Sequence, residues 1–174
     1  MAAFTRLARA LNDAGVRYVV IGVWGANHYA TSAGTVFRTE DRDLFLPSEP
    51  HNLLQCWEAC AAAGLRLWGE REPLDQPVDR WLAERVVERR ALTRASTSEI
   101  RVDLTLVMQG FEFETVWNER RTFRIEGEDI PVARLLHIVT SKHAAGRDKD
   151  RLFLATHREA LEELLRQEDS KKGP

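Results

Sequence analysis

Cysteine, methionine and tyrosine are scarce in this sequence, with two residues of each among 174. The two cysteines, Cys56 and Cys60, lie four apart in a helical pattern and lack the spaced Cys and His partners of a zinc site. The five histidines form no spaced ligand set either. A zinc module and a disulfide scaffold are therefore excluded, and we expect buried thiols in a reducing compartment.

Long apolar segments are also absent. No apolar run reaches the ~20 residues that a membrane-spanning helix needs. Residues 1–14 are amphipathic and do not show the continuous apolar stretch of a signal peptide. We therefore expect a cytoplasmic protein with no membrane partner.

Neither sign of charge dominates. The chain has 25 basic and 27 acidic residues and a formal net charge of -2. This balance excludes attachment to nucleic acid through bulk charge, although a local basic patch is compatible with it. With 44% apolar and 30% charged residues, the composition is that of one globular domain, alone or with a small helical appendage.

Apolar runs of strand length alternate with helical patterns, which predicts an α/β (α+β) fold. The clearest strands cover residues 17–22, 41–46 and 100–107. The first contains four consecutive apolar residues, which favours a strand covered on both faces. Among the helices, Ser48 is expected to cap one and Asp148 to cap the last.

Two aspartates two residues apart stand in the second strand. Because side chains alternate along a strand, Asp41 and Asp43 would share a face. Paired carboxylates stay ionised when a cation lies between them, and oxygen ligands suit Mg²⁺. Asp103 is a lone acid in a later apolar strand and joins them if the two strands are neighbours. The alternatives are solvated acids at a strand end and on an edge strand.

Gly22 ends the first strand, and a helical pattern follows from Trp24. A tight Gly22-Val23 turn before a helix exposes backbone N–H groups, which bind phosphate readily. The alternative is an ordinary chain reversal, which is the more common reason for a lone glycine at a strand end.

Taken in order, four stretches resemble the polymerase-beta-like nucleotidyltransferase superfamily. The similarity is greatest to its small prokaryotic branch of abortive-infection toxins and minimal nucleotidyltransferases. The stretches are Val20–Ala26, Arg38–Leu44, Val102–Leu104 and Ser141–Asp150. The resemblance implies a mixed central sheet flanked by helices, with a nucleotidyltransferase core over residues 1–132. C-terminal helices over 133–169 would pack on this core, and residues 170–174 would form a frayed tail.

The resemblance also implies an enzyme that moves an NMP from an NTP such as ATP to an acceptor hydroxyl. Asp41 and Asp43 would hold two Mg²⁺ ions, with Mn²⁺ as an alternative. Asp103 would bind the acceptor-side ion and help to remove the hydroxyl proton. The nucleotide-binding residues would be Gly22, Val23, Arg38, Thr39 and Lys142, with Arg147 and Asp150 in support. Three positions depart from the family pattern, namely Val23, Arg42 and Phe153.

The acceptor is left open by the sequence. Six arginines between Arg80 and Arg101 form either a track for RNA, such as a tRNA end, or a solvated face of mixed charge. Transfer to a small-molecule hydroxyl, as in antibiotic-modifying relatives, is a second hypothesis. A third is a non-catalytic nucleotide-binding or antitoxin-like protein, and an antitoxin or a second copy is a candidate partner. His28 is the one histidine expected near the site.

Overall fold

The computed structural model describes residues 1–171, which form seven β-strands and eight α-helices. The strands are β1 (Val19–Ile21), β2 (Asp43–Phe45), β3 (Arg66–Trp68), β4 (Thr93–Ser96), β5 (Arg101–Thr105), β6 (Arg121–Ile125) and β7 (Glu128–Val132). The helices are α1 (Ala3–Asp13), α2 (Gly22–Ser32), α3 (Pro50–Ala62), α4 (Arg80–Arg89), α5 (Phe113–Asn118), α6 (Leu135–Ala145), α7 (Asp148–Thr156) and α8 (Arg158–Ser170).

All seven strands belong to one sheet in the order β3-β4-β5-β2-β1-β7-β6. The sheet is mixed, because β2 runs parallel to β5 but antiparallel to β1. The predicted α/β class with a mixed central sheet is therefore confirmed. The strand that carries Asp43 and the strand that carries Asp103 are direct neighbours.

The two faces of the sheet bury different cores. On one face, Leu44, Val102 and Leu104 pack with residues of α1, α3 and α4. On the other face, Val19, Ile21 and Phe45 pack with residues of α2, α5, α6 and α8. Alternation along β2 and β5 turns the side chains of Asp43 and Asp103 toward the second face, since their apolar neighbours occupy the first.

Three local predictions were wrong. Pro50 opens α3 after Glu49 rather than Ser48, because proline lacks the N–H that the first helical position leaves unpaired. Asp148 is the first residue of α7 and not a cap. The last helix is a separate one, α8, which begins after His157, whose ring packs on Phe37 and Phe153.

The C-terminal boundaries are partly described. Ser170 ends α8, and residues 172–174 of the expected tail lie outside the described residues. The division between a core and C-terminal helices at residue 132 stays a prediction. Within residues 1–171, every helix is too short or too polar to span a bilayer.

Truncating a buried core side chain next to the aspartates should cause a large loss of stability. Leu44 lies between Asp43 and Phe45 and is fully buried. We expect Leu44→Ala to lower the free energy of unfolding by about 2–5 kcal/mol, measured by urea denaturation. Leu152→Ala is the matched control, because Leu152 is 69% exposed. An equal loss in the two variants would contradict the assignment of the core.

Candidate active site

The site begins with the register of two parallel strands. Asp43 of β2 lies directly opposite Asp103 of β5, and Ile21 of β1 lies opposite Asp43 on the other side. Paired residues in neighbouring strands point to the same face, so the two carboxylates stand side by side. Gly22 follows Ile21 at once and is the first residue of α2.

Gly22 meets two requirements that only glycine satisfies here. Its φ is +70°, in the left-handed region. A Cβ at this position would lie 2.9 Å from Oδ2 of Asp43, closer than ordinary contact. The predicted strand-to-helix bend therefore exists, and it brings the N-terminus of α2 against the carboxylate of Asp43.

Like charge and burial perturb Asp43. Burial, followed by the charges of Asp103 and Asp41, raises the pKa of Asp43 from 3.8 to about 6. Lys149 and Lys142 oppose the rise but do not cancel it. The ionised carboxylate is thus destabilised in the folded protein, and a cation placed beside it would relieve the repulsion.

Arginines already pair with the other two acids. Arg94 of β4 is the cross-strand neighbour of Asp103, and its Nε lies 2.5 Å from Asp103 Oδ1. Arg101 lies 3.5 Å from Oδ1 of Asp41, and both side chains are about half exposed. The pairing of Arg94 with Asp103 was not predicted from the sequence.

Asp41 precedes β2 and does not belong to it, contrary to prediction. The Thr39 hydroxyl accepts a hydrogen bond from the Asp41 N–H at 3.1 Å, which closes a local turn in place of the sheet ladder. Asp41 still faces the same cavity as Asp43 and Asp103. Asp41 and Asp43 therefore share the cavity although only Asp43 belongs to the strand.

Asp41, Asp43 and Asp103 all offer carboxylate oxygens to one cavity, and oxygen ligands of this kind suit a hard divalent cation. Within residues 1–171, no group of three or more His, Cys, Asp or Glu side chains is gathered closely enough to hold a metal ion. A divalent ion shared by the three acids would have to replace the contacts of Arg94 and Arg101.

A cavity of about 1070 Å³ collects the candidate residues. All ten residues predicted for the site line it: Gly22, Val23, Arg38, Thr39, Asp41, Asp43, Asp103, Lys142, Arg147 and Asp150. Lys149 lines it as well, although the sequence gave no reason to single it out within the stretch 141–150. The acids thus share one cavity with four cations, which suits a ligand with several negative charges.

Asp150 positions two of these cations. Its side chain is fully buried, accepts a hydrogen bond from Arg147 Nε at 2.7 Å and lies 3.3 Å from Lys142 Nζ. Burial alone would raise its pKa, but the Arg147 hydrogen bond and the Lys142 charge together lower the pKa of Asp150. Lys142 also lies 5.0 Å from the ring centre of Phe153, one of the positions that depart from the family pattern.

Two expectations about other residues change. His28 does not line the cavity and packs between Trp24 and Phe123 instead.

The run of arginines is not one track. Arg80 and Arg85 form ion pairs with glutamates on α4, whereas Arg94 and Arg101 contact the site aspartates.

Arg42 packs away from the site. Its guanidinium lies 4.5 Å from the ring centre of Trp24, on the face opposite Asp43. A charged residue is tolerated between the two acids because its stem and head rest on an aromatic ring.

No protein-family model and no curated protein matches the sequence. Solved structures do match. ANT(2'')-Ia in complex with adenylyl-2''-tobramycin has a TM-score of 0.53 at 15% identity, covering 98% of this chain and 97% of that chain. The solution structure of this antibiotic-resistance factor has a TM-score of 0.53 at 15% identity, covering 97% and 90%. A candidate nucleotidyltransferase of Thermotoga maritima has a TM-score of 0.54 at 13% identity, covering 92% and 91%.

These similarities extend over nearly the whole chain and establish its fold. The chain has a nucleotidyltransferase fold, in which a mixed seven-stranded sheet carries helices on both faces. The predicted fold is therefore confirmed.

The perturbed pKa of Asp43 predicts a pH-dependent stability. Because the folded protein holds this proton more tightly than the unfolded chain, stability falls as pH rises from about 4 to about 6. Asp43→Asn removes this cost, so without metal the variant should exceed the wild type at about pH 7.5 by up to about 3 kcal/mol. The advantage should vanish near pH 4. Urea unfolding at both pH values measures it, and a constant advantage would contradict the shift. Asp13→Asn, at an exposed site, is the control.

The position of Gly22 predicts a specific steric effect. Gly34 has φ +76° and open space around its Cα, so Gly34→Ala should cost only the left-handed strain of about 1–2 kcal/mol. Gly22→Ala adds the clash with Asp43 and should cost more. It should also weaken nucleotide binding by at least about tenfold, equivalent to about 1.4 kcal/mol. Urea unfolding and calorimetric titration with ATP measure the two effects. If Gly22→Ala and Gly34→Ala lose equal stability and ATP affinity is unchanged, the close approach of Asp43 does not require glycine at position 22.

Proposed function

We propose that the protein transfers an NMP from an NTP to an acceptor hydroxyl, with Mg²⁺, or Mn²⁺ in its place, held by Asp41, Asp43 and Asp103. One observation carries the proposal. Asp43 and Asp103 stand side by side next to the Gly22 bend, in a cavity that also presents several cations. The full-length similarity to nucleotidyltransferase folds supports it. We expect the reaction in the cytoplasm, where NTPs are available.

The phosphates of the nucleotide would bind at the N-terminus of α2. There the backbone N–H groups of Gly22 and Val23 are unpaired by the helix and carry partial positive charge. Val23 offers no hydroxyl, so the backbone alone would contact phosphate at this position. Arg38, Lys142 and Lys149 line the same cavity and would neutralise the triphosphate.

In the reaction, the acceptor oxygen forms a bond to the α-phosphorus while the bond from that phosphorus to pyrophosphate breaks. The hydroxyl proton passes to a carboxylate oxygen of Asp103. Pyrophosphate leaves toward Lys142, whose position depends on Asp150. Bound divalent ions supply electrostatic stabilisation of the charge that develops on the phosphoryl oxygens.

RNA, including a tRNA end, is the first acceptor class that we propose. The toxin assignment depends on the sequence resemblance alone, and an antitoxin or a second copy of the chain stays a proposed partner. A non-catalytic nucleotide-binding protein is the outcome expected if Val23 and Phe153 have abolished turnover.

A small-molecule acceptor is the second candidate, and two observations favour it. The similar structure of ANT(2'')-Ia holds adenylyl-2''-tobramycin, an adenylyl group joined to an antibiotic. In this chain a second cavity of about 510 Å³ adjoins the first, and both are lined by Val107, Met108 and Gln109. Phe111, Phe113 and Glu112 line the second cavity, which suits a compact ring compound better than a strand of phosphates.

The test is pyrophosphate release and label transfer from α-labelled NTPs, with either total RNA or a set of hydroxylated small molecules as acceptor. Asp41→Asn and Asp43→Asn should each lower the rate by at least about 10²-fold, since each removes a charged oxygen ligand. Asp129→Asn is the control, because Asp129 pairs with Arg124 on the distant β6–β7 hairpin. Unchanged release in both site variants would refute the proposed function, and the labelled fraction identifies the acceptor.

A further inference from the structure

A row of side chains crosses one face of the sheet and leads to the site. Cross-strand pairs place its members side by side on neighbouring strands, and paired residues point to the same face. From the edge of the sheet inward they are Trp68, Arg94, Asp103 and Asp43. With strands about 4.8 Å apart, Trp68 on β3 is about 10 Å from Asp103 on β5.

A second row runs two residues farther along the strands. Arg66 of β3 pairs with Ser96 of β4, which pairs with Arg101 of β5. Because residues two apart share a face, this row lies beside the first. We call Arg66, Trp68, Arg94 and Arg101 together the arginine–tryptophan face.

The arginine–tryptophan face is exposed, whereas the reverse side of the same strands is covered. Ala95 and Val102 are fully buried in one cluster with Ala83 and Val86 of α4. On the arginine–tryptophan face, Arg66 and Arg101 are exposed, while Trp68 and Arg94 are half-buried. A flat sheet surface with three guanidinium groups and an indole thus adjoins the catalytic acids.

Several polar groups of this face lack a close ion pair or hydrogen bond within the described residues. The Arg66 guanidinium lies 5.4 Å from the ring centre of Trp68, and within residues 1–171 no carboxylate lies in ion-pair distance of it. The Trp68 indole N–H has no hydrogen-bond partner in the described part of the chain, but it is buried, so only the ring surface of Trp68 is open to a ligand. The Arg101–Asp41 contact is long, at 3.5 Å, and exposed to solvent, so a phosphate can compete for Arg101.

We propose that the arginine–tryptophan face binds the single-stranded end of an RNA acceptor and directs its terminal hydroxyl to Asp103. The guanidinium groups would contact backbone phosphates, and a base would stack on Trp68. Strands hold both kinds of group rigidly, at a spacing that leaves the stacked base close to the reacting end. This inference rests on the proposed nucleotidyl transfer and specifies its acceptor as a polynucleotide rather than a compact ring compound.

The test is fluorescence anisotropy of a short labelled single-stranded RNA with the full chain, without nucleotide or metal. Trp68→Ala should weaken binding about 5- to 150-fold, the loss expected for one stacked base, and Trp68→Phe should retain most of the affinity. Arg66→Gln should weaken binding and reduce the slope of log K against log salt by about one. Neither Arg66 nor Trp68 is assigned to catalysis, so turnover of the nucleotide itself should not change.

Arg89→Gln is the matched control, because Arg89 is an exposed arginine at the end of α4 on the covered side of the sheet. It should leave RNA affinity unchanged. Equal weakening by Arg89→Gln and Arg66→Gln, or no RNA binding at low salt, would overturn the proposal. Circular dichroism checks that each variant is folded, and Arg66→Gln keeps the test decisive if Trp68→Ala unfolds.

The two proposals fail in different ways. If the arginine–tryptophan face is wrong but the function is right, label passes to an acceptor and Trp68→Ala and Arg66→Gln leave RNA affinity unchanged. If the function is wrong but the face is right, RNA binding depends on these residues and no pyrophosphate is released.

Discussion

Asp43 and Asp103 are held side by side by the backbone pairing of β2 with β5, and their charges repel. The surrounding residues reduce this repulsion in different ways. Arg94 pairs with Asp103 across the next strand, and Lys142 and Lys149 oppose the rise in the pKa of Asp43. Burial of Asp43, together with the repulsion that remains, raises its pKa to about 6, so the site favours an added cation. A protein optimised for stability alone would not place two carboxylates here.

The cations that balance these acids come from distant parts of the chain. Arg94 and Arg101 stand on the sheet itself, whereas Lys142 and Arg147 belong to the C-terminal helical segment and are positioned by Asp150. The C-terminal segment is attached through a buried ion pair, with Arg134 Nε 3.4 Å from Glu168 Oε1. Removing one partner of such a pair costs more than the pair contributes, so it specifies how α8 docks. The site therefore depends on contacts of helices that follow the last strand in the chain.

Much of the candidate site could be predicted from the sequence, and each wrong prediction has a physical cause. Asp43, Asp103 and Gly22 were predicted from strand patterns and a glycine, and all three line one cavity. Asp41 was placed on the strand, but β2 begins at Asp43, and the Asp41 N–H donates to the hydroxyl of Thr39. Asp148 was expected to cap the last helix, yet the aromatic packing of His157 divides that region into two helices. Arg94 was missed because its partner depends on the register between β4 and β5.

Local physics in the sequence alone determined several features of this protein. Alternation decides which side chains share a face, and glycine at position 22 permits the positive φ of the bend. The tertiary structure alone decided that Asp103 stands beside Asp43, that Arg94 neutralises it, and that Trp68 lies on the same face. Which strands pair depends on segments that are distant in the sequence and on the burial of both sheet faces together. No local sequence pattern encodes this pairing.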